Sequence, residues 1–243
     1  MVSDTIAAIS TGMTNSGIGK VRMSGSDALE IADRVYKSPG GKKRLKDVLS
    51  HTIHYGYIYD GDQLIDEVIV LVMKAPHSYT TEDIVEIDCH GGVVVMKKIL
   101  ETVVKYGARP AEPGEFTKRA FLNGRIDLTQ AEAVIEVINA KSEMALSSSV
   151  RQLKGNIRLK IAEIREDIIS SIAFIEAALD DPEHMSTEGF SEQLKENVQK
   201  DMRALKKLLD SADNGRMLRE GIKTVIVGKP NAGKSSLLNI LVG

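Results

Sequence analysis

Several features that mark secreted and membrane proteins are scarce in this chain. It has a single cysteine, Cys89, so no disulfide can form within the chain, and a reducing compartment is expected. Its longest apolar runs, such as residues 68–73, are far shorter than the roughly 20 residues that cross a bilayer. The first residues carry an acid, Asp4, where a secretion signal carries basic residues. We therefore expect a cytoplasmic protein with no membrane partner.

An excess of charge of either sign is also lacking. The formal net charge of the 243 residues is −2, so there is no general electrostatic attraction to nucleic acid, and any contact with RNA must be local. Hydrophobic residues make up 42% of the chain and charged residues 27%, which is typical of a globular protein. The length allows one large domain, or two ordinary domains and a fragment.

The most specific motif is a phosphate-binding loop. Residues 228–235 read Gly-Lys-Pro-Asn-Ala-Gly-Lys-Ser, between a β-branched run at 222–227 and a helix-forming run at 236–241. In such a loop the backbone N–H groups surround a phosphate, Lys234 reaches the β- and γ-phosphates, and the Ser235 hydroxyl ligates Mg²⁺. The 243 residues hold no later segment to position water or read a base, so we expect no nucleotide hydrolysis by this chain and poor packing after about residue 221.

The first part of the chain has the mixed pattern of an α+β domain. Asp60-Gly61 lies between two strand-like runs and predicts a hairpin, and the alternation around Cys89 predicts a half-exposed strand. Ser26 is the predicted cap of a helix that reaches Tyr36. The predicted strands are 5–10, 19–23, 54–59, 64–73 and 85–89, and a second helix ends near residue 107.

The second part has the pattern of an all-α bundle of long antiparallel helices. Thr129 and Glu132 have the spacing of a capping box. Apolar residues then recur every three or four positions, so we expect the helices to pack partly on one another and partly on something outside this chain or on a second subunit, with the isoleucine stripe as core rather than a cofactor surface. The stripes are Ile157, Ile161, Ile164, Ile168, Ile172, Ile175 and Leu179, and Leu194, Val198, Met202, Leu205 and Leu209. The predicted domains are 1–118, 119–219 and the incomplete α/β nucleotide fragment 220–243.

The stretch from Arg109 to Val134 resembles the hallmark segment of the tRNA uridine-modification GTPases, the MnmE (TrmE) family. Further motifs match the same family in the same order along the whole chain. They are Asp4-Thr-Ile-Ala7, Gly17-Ile-Gly19 with Arg22, Tyr79-Thr-Thr-Glu-Asp83, Cys89-His-Gly-Gly92 and the phosphate-binding loop. The chain is therefore expected to be the first half of such a protein.

This resemblance implies a folate-binding N-terminal domain that forms a homodimer, a helical domain, and a GTPase domain inserted into the helical one. It also implies a flavoprotein partner, MnmG, with which the protein installs an aminomethyl-type group at carbon 5 of the wobble uridine of tRNA. The one-carbon donor would be 5-formyl- or methylene-tetrahydrofolate. GTP hydrolysis, with Mg²⁺ and stimulated by K⁺, would drive conformational cycling.

The resemblance also assigns site residues. Folate would be contacted by Arg22, Glu82 and Arg125, where Arg125 stands at a position that can be lysine in the family. Phosphates of GTP would be contacted by Asn231, Ala232, Gly233, Lys234, Ser235 and Ser236, with Ser235 on Mg²⁺ and Asn231 on K⁺. Simpler interpretations remain open for three of them: a surface arginine at a strand end for Arg22, a solvated loop acid for Glu82, and a loop-stabilising contact for Asn231.

Two features depart from the family pattern. Residues 11–17 replace a loop commonly rich in proline and glycine, and Lys20 stands where an apolar residue is usual. An alternative function is therefore a dimerisation and partner scaffold that has lost folate binding, and a weaker one is a generic P-loop ATPase. Cys89 is interpreted as a packing residue, because no general base is evidently paired with it.

Overall fold

The computed structural model describes residues 4–181, 188–220 and 225–242, with the backbone alone for 211–220 and 242. They fall into two compact units, Met1–Ala131 and Glu132–Gly243. Within the described residues, no helix is both long enough and apolar enough to pass through a bilayer.

The first unit is an α+β domain built on a seven-stranded sheet, as the sequence predicts. Its strands are β1 (Ile6–Ile9), β2 (Ser16–Ser24), β3 (Tyr36–Lys37), β4 (Thr52–Asp60), β5 (Gln63–Met73), β6 (Ile84–Gly91) and β7 (Arg109–Pro110). Its helices are α1 (Ala28–Val35), α2 (Val93–Lys105) and α3 (Glu115–Leu122), with a short 3-10 helix at Leu45–Asp47. The strand order is β3-β4-β5-β6-β2-β1-β7, antiparallel except for β1 with β7. The predicted hairpin is the β4–β5 pair.

The main core lies between one face of this sheet and the helices α1 and α2. Alternate residues of the strands point to this face, so Val21 and Met23 of β2 are fully buried. The helices contribute the other half of the core through Ile31, Val35, Met96, Ile99 and Val103. Helix α1 begins at Ala28 after Asp27, one residue later than the predicted cap Ser26. The backbone N–H of Asp27 donates to Thr5 Oγ1, which fixes that start.

The opposite face of the sheet carries polar residues and is covered at one end by α3. Ile6, Ile84 and Ala120 are fully buried there. Towards the other edge, this face exposes apolar and aromatic side chains: Ile53 is 67% exposed, Tyr55 48% and Ile69 47%. The prediction of a half-exposed strand at 85–89 is wrong for Glu86, which is only 6% exposed because cations of β2 cover it.

The helices that follow are α4 (Leu128–Ile138), α5 (Glu143–Leu153), α6 (Asn156–Asp180), α7 (Phe190–Glu220) and α8 (Lys234–Val242). The capping box of α4 is made by Asp127 and Gln130, so the prediction of Thr129 and Glu132 is wrong. Gln130 N donates to Asp127 Oδ1 at 2.8 Å, and Asp127 N donates to Gln130 Oε1 at 3.0 Å. The helix begins at Leu128, so the third helical residue is Gln130, which is where the second box residue belongs.

In the second unit, α6 and α7 run antiparallel. Phe174 stacks on Phe190 with 4.2 Å between ring centroids, and Lys200, further along α7, pairs with the earlier Asp167 of α6 at 2.9 Å. The expectation of partial packing agrees with the burial of the stripes, whereas a fully covered isoleucine core does not form among the described residues. Ile164 is buried, but the other stripe residues of α6 from Ile161 to Leu179 are 39–75% exposed, and α7 exposes Val198, Met202, Leu205 and Leu209. Helices α5, α6 and α7 contact one another, and these contacts cover only part of each stripe.

Candidate functional site

Two of the predicted folate residues meet at the aromatic ring of Tyr79. The guanidinium carbon of Arg22, on β2, lies 5.8 Å from the ring centroid, and that of Arg125, after α3, lies 4.8 Å from it. A second ring, Phe116 of α3, lies 5.5 Å from the Arg22 guanidinium. Thr117 holds the Tyr79 hydroxyl at 3.0 Å. Both arginines therefore lie within cation–π distance of a positioned aromatic ring.

Glu86 orients Arg22 from the neighbouring strand β6. The two residues are direct partners in the β2–β6 pairing, and Nε and Nη2 of Arg22 each lie 2.7 Å from Glu86 Oε1. Lys20 donates to the other oxygen of Glu86 and lies 3.3 Å from Asp88. Burial alone would raise the pKa of Glu86, but the hydrogen bond from Lys20 and the charge of Arg22 outweigh it and hold that pKa below its usual value. The unusual Lys20 is thus accommodated by two carboxylates.

Glu82 lies on the same face of the sheet as Arg22. Ser24, two residues after Arg22 on β2, donates to Glu82 Oε2 at 2.7 Å and lies 2.6 Å from the Thr80 hydroxyl. Arg119 reaches both oxygens of Glu82 at 3.2 Å. A carboxylate has about four lone-pair sites, so Glu82, whose side chain is 19% exposed, keeps capacity to accept one more hydrogen bond.

The sequence analysis missed the ion cluster that fixes α3 against the sheet. Arg119, whose side chain is 4% exposed, pairs with Asp4 at 2.8 Å, and Arg109 pairs with Glu115 at 2.6 Å. The hydrogen bond from Arg109 is the main cause that lowers the pKa of Glu115 to about 2. Glu115 and Arg119 are four residues apart on α3, and this spacing was the signal that could have revealed them. The cluster positions Phe116 and, through α3, Arg125.

An open groove of about 600 Å³ continues from Tyr79 and is lined by Arg125. Its other lining residues include His51, His77 and Thr81, and none of the described residues that line it is acidic. His51 has φ 61° and Thr81 has φ 62°, a left-handed conformation that costs a non-glycine residue about 1–3 kcal/mol. Arg22 and Glu82 do not line this groove.

Hydrogen bonds fix the 11–17 loop at the residues where it joins its flanking strands. Ser10 N donates to Lys20 O at 2.8 Å, and Lys20 N donates to Thr11 Oγ1 at 3.1 Å.

Cys89 is 4% exposed, and burial is the main cause that raises its thiol pKa to about 11, which agrees with a packing role. His90 pairs with Asp66 at 2.7 Å on the exposed side of β6.

The phosphate-binding loop forms a second candidate site. Asn231 and Gly233 adopt φ of 63° and 77°, and α8 begins at Lys234. The Lys234 ammonium donates to the carbonyls of Gly228 at 3.0 Å and Lys229 at 2.7 Å, so its contacts with the described residues use two of its three protons. Residues 222–224 of the predicted strand lie outside the described residues, and 225–227 form no strand. Val225, Val227 and Ile240 are 79–87% exposed, as expected of a poorly packed segment.

Two family models match the chain. The model described as the N-terminus of the GTP-binding protein TrmE matches residues 5–125, and the MnmE helical domain matches residues 128–239. The chain is also similar to proteins named tRNA modification GTPase MnmE. Over its full length the chain is 59% identical to the MnmE of Lachnoclostridium phytofermentans. Over 98% of its length it is 52% identical to the MnmE of Geobacillus thermodenitrificans and 49% identical to the MnmE of Bacillus subtilis. The chain spans about half the length of these relatives, 52–53%.

Proposed function

The chain belongs to the MnmE (TrmE) family of tRNA modification GTPases, and from this premise we propose that its first unit binds a reduced folate and forms a homodimer. The observation that carries the folate proposal is the meeting of Arg22 and Arg125 on Tyr79, with Glu82 on the same sheet face as Arg22. This places cationic, aromatic and acidic groups from three separate stretches of the chain close together.

The residues present fit a pteridine. A pterin is a flat ring with N–H groups on one edge, so it suits the aromatic faces of Tyr79 and Phe116 and a carboxylate that accepts from those N–H groups. Glu82 retains that capacity, and Arg22 offers a planar donor fork that Glu86 holds in place. Arg125 is exposed and can meet the folate carboxylate.

When bound, 5-formyl- or methylene-tetrahydrofolate would supply the one-carbon unit. The residues of this chain would bind and orient it: Glu82 fixes the pterin edge, and Arg22 fixes the ring. In the longer protein, together with the flavoprotein MnmG, we expect that carbon to reach carbon 5 of the wobble uridine of tRNA in the cytoplasm. The names of the relatives support the tRNA substrate and the GTPase activity.

The phosphate-binding loop would take the phosphates of GTP. Asn231, Ala232, Gly233, Lys234, Ser235 and Ser236 are the contacting residues of this proposal. Lys234 would donate its remaining proton to a phosphate oxygen, since two already bind loop carbonyls. The Ser235 hydroxyl would hold Mg²⁺ and the Asn231 side-chain oxygen K⁺, both hard cations that prefer oxygen ligands. Hydrolysis would also need a group that positions the attacking water.

The homodimer proposal is supported by the exposed part of the second sheet face. Tyr55 and Ile69 are directly opposite each other on β4 and β5, and Ile53 lies beside them, so the three form one apolar patch. Replacing Ile69 by Lys should convert a dimer to a monomer, as read by multi-angle light scattering. Val94→Lys is the control, because Val94 is 80% exposed on α2, in the layer on the other side of the sheet. A monomeric wild type, or a dimer that survives Ile69→Lys, would defeat this assignment.

Isothermal titration calorimetry with 5-formyltetrahydrofolate tests the folate proposal. We expect binding by the wild type and affinity about ten- to a hundredfold weaker for Arg22→Ala and for Glu82→Gln, since hydrogen bonds to charged groups contribute about 1.5–3 kcal/mol. Arg203→Ala, an exposed arginine of α7, is the control. Circular dichroism checks that each variant is folded. Absence of binding to the wild type, or equal binding by both site variants, contradicts the proposal.

A second candidate is a dimerisation and partner scaffold that has lost the folate. It is favoured by one observation: Arg22 and Glu82 are both engaged in internal ion pairs, with Glu86 and Arg119, as purely structural residues would be. Measuring folate affinity and dimer mass on one sample separates the two functions. A dimer without folate binding would support the scaffold.

A further inference from the structure

We infer that the groove beyond Tyr79 is a subsite for a chain of carboxylates, the γ-linked oligoglutamate tail that extends a folate beyond its first glutamate. This inference rests on the proposed folate function. It adds His51, His77 and Thr81, which neither the family resemblance nor the predicted site includes, to the already predicted folate residue Arg125.

The groove is continuous with the residues assigned to the folate. Tyr79 lines the groove, and its ring is contacted by Arg125 from within the groove and by Arg22 from outside it. A ligand held at Arg22 and Glu82 therefore reaches the groove as soon as it passes the Tyr79 ring. A folate is long and narrow, with its glutamate at the end remote from the pterin, so the tail is the part that would enter.

The Arg125 cation and the hydrogen-bonding side chains of the lining suit carboxylates. Arg125, His51 and His77 are exposed in the groove, and Asn123 adds an amide whose nitrogen already donates to Thr80 O at 2.7 Å. None of the described lining residues is acidic, although the chain has 34 aspartates and glutamates. Arg125 offers up to five donors in a planar fork, which matches a carboxylate. The groove is thus locally basic in a chain whose net charge is negative.

Backbone strain gives an independent argument. Among the described residues, three that are not glycine have positive φ: His51, Thr81 and Asn231. Asn231 belongs to the phosphate-binding loop, and the other two both line this groove. A β-branched residue such as Thr81 is a genuine outlier in that conformation, and such strain concentrates at ligand-binding sites. The groove volume of about 600 Å³ also falls within the range of roughly 300–1,000 Å³ typical of small-molecule sites.

The test compares two probes, 5-formyltetrahydrofolate with one and with five γ-linked glutamates, by isothermal titration calorimetry. For the wild type, we expect the pentaglutamate to bind about three- to tenfold more tightly, because each exposed charged contact contributes little. In Arg125→Gln and His77→Gln this ratio should fall towards one, and His77→Gln should leave the monoglutamate affinity unchanged. Lys42→Gln, an exposed cation elsewhere in the first unit, should keep the wild-type ratio.

The outcomes separate this inference from the function on which it rests. Equal binding of the two probes by the wild type would overturn the subsite and leave folate binding intact. A preference for the pentaglutamate that persists in both groove variants would also overturn it, because the tail would then bind elsewhere. If neither probe binds, the folate function itself fails and the subsite fails with it.

Discussion

Replacing Glu86 by Gln removes one negative charge from between two cations. The glutamine keeps the shape of the side chain and one oxygen acceptor, so either Arg22 or Lys20 can still find a partner there, but not both as charged pairs. Lys20 can fall back on Asp88, 3.3 Å away. Arg22 would therefore bear most of the change.

The size of the effect follows from burial. The Glu86 side chain is 8% exposed, whereas those of Lys20 and Arg22 are 25% and 27% exposed. Breaking a fully buried ion pair costs about 3–5 kcal/mol, but both cations here reach solvent, so we expect a loss of about 1–2 kcal/mol in the free energy of unfolding. An Arg22 side chain that is no longer fixed must be ordered when folate binds. This ordering costs about 0.5–1.5 kcal/mol, which corresponds to folate affinity roughly two- to tenfold weaker.

Two measurements on the same proteins check this reasoning. Urea unfolding gives the stability of the wild type, Glu86→Gln and the control Glu101→Gln, whose exposed site on α2 should change stability by less than about 0.5 kcal/mol. Calorimetry gives folate affinity for the wild type, Glu86→Gln, Arg22→Ala and the double variant. If Glu86 acts through Arg22, adding Glu86→Gln to Arg22→Ala should weaken binding no further.

The positioning role of Glu86 would be refuted if Glu86→Gln bound folate as tightly as the wild type while Arg22→Ala bound it weakly. An additive double variant would likewise show that Glu86 acts on the ligand by another route. A stability loss with no change in affinity would restrict Glu86 to folding.

Three further predictions concern the first unit. The folded-state pKa of Glu115, about 2, is below its ordinary 4.5, so its stabilisation is complete above pH 4.5 and disappears as the pH falls towards 2. The free energy of unfolding measured in urea should fall over this range by about 1–2 kcal/mol more than in Glu115→Gln, a modest amount because half-exposed Arg109 is screened by solvent. Cys89, with a pKa of about 11, should resist a thiol reagent at pH 8 until urea unfolds the chain. Gly56→Ala should lose about 1–3 kcal/mol in thermal unfolding, because a Cβ there meets the Tyr36 ring, whereas Gly40→Ala meets nothing.

Local patterns predicted most of the secondary structure but not how the elements combine. The β4–β5 hairpin followed from Asp60-Gly61, because turn chemistry is set by neighbouring residues, although the two turn residues are Gly61 and Asp62, one position later. The pairing of Glu86 with Arg22 could not be predicted, since it depends on β6 lying beside β2, 64 residues away in the chain. The isoleucine stripe of α6 has the predicted helical periodicity, but the extent of its exposure could not be predicted, because periodicity states which face is apolar and not what covers it.

The sequence by itself determined most of the longer helices and strands, the motif at residues 228–235 and the family, since each of these is written in contiguous residues. Only the tertiary structure decided that Arg22 and Arg125 share the Tyr79 ring, that Arg119 is held by Asp4 and Glu82, and that a basic groove continues beyond Tyr79. The physical reason is that charges and rings act over a few ångströms in space, and strand order and the docking of α3 set those distances.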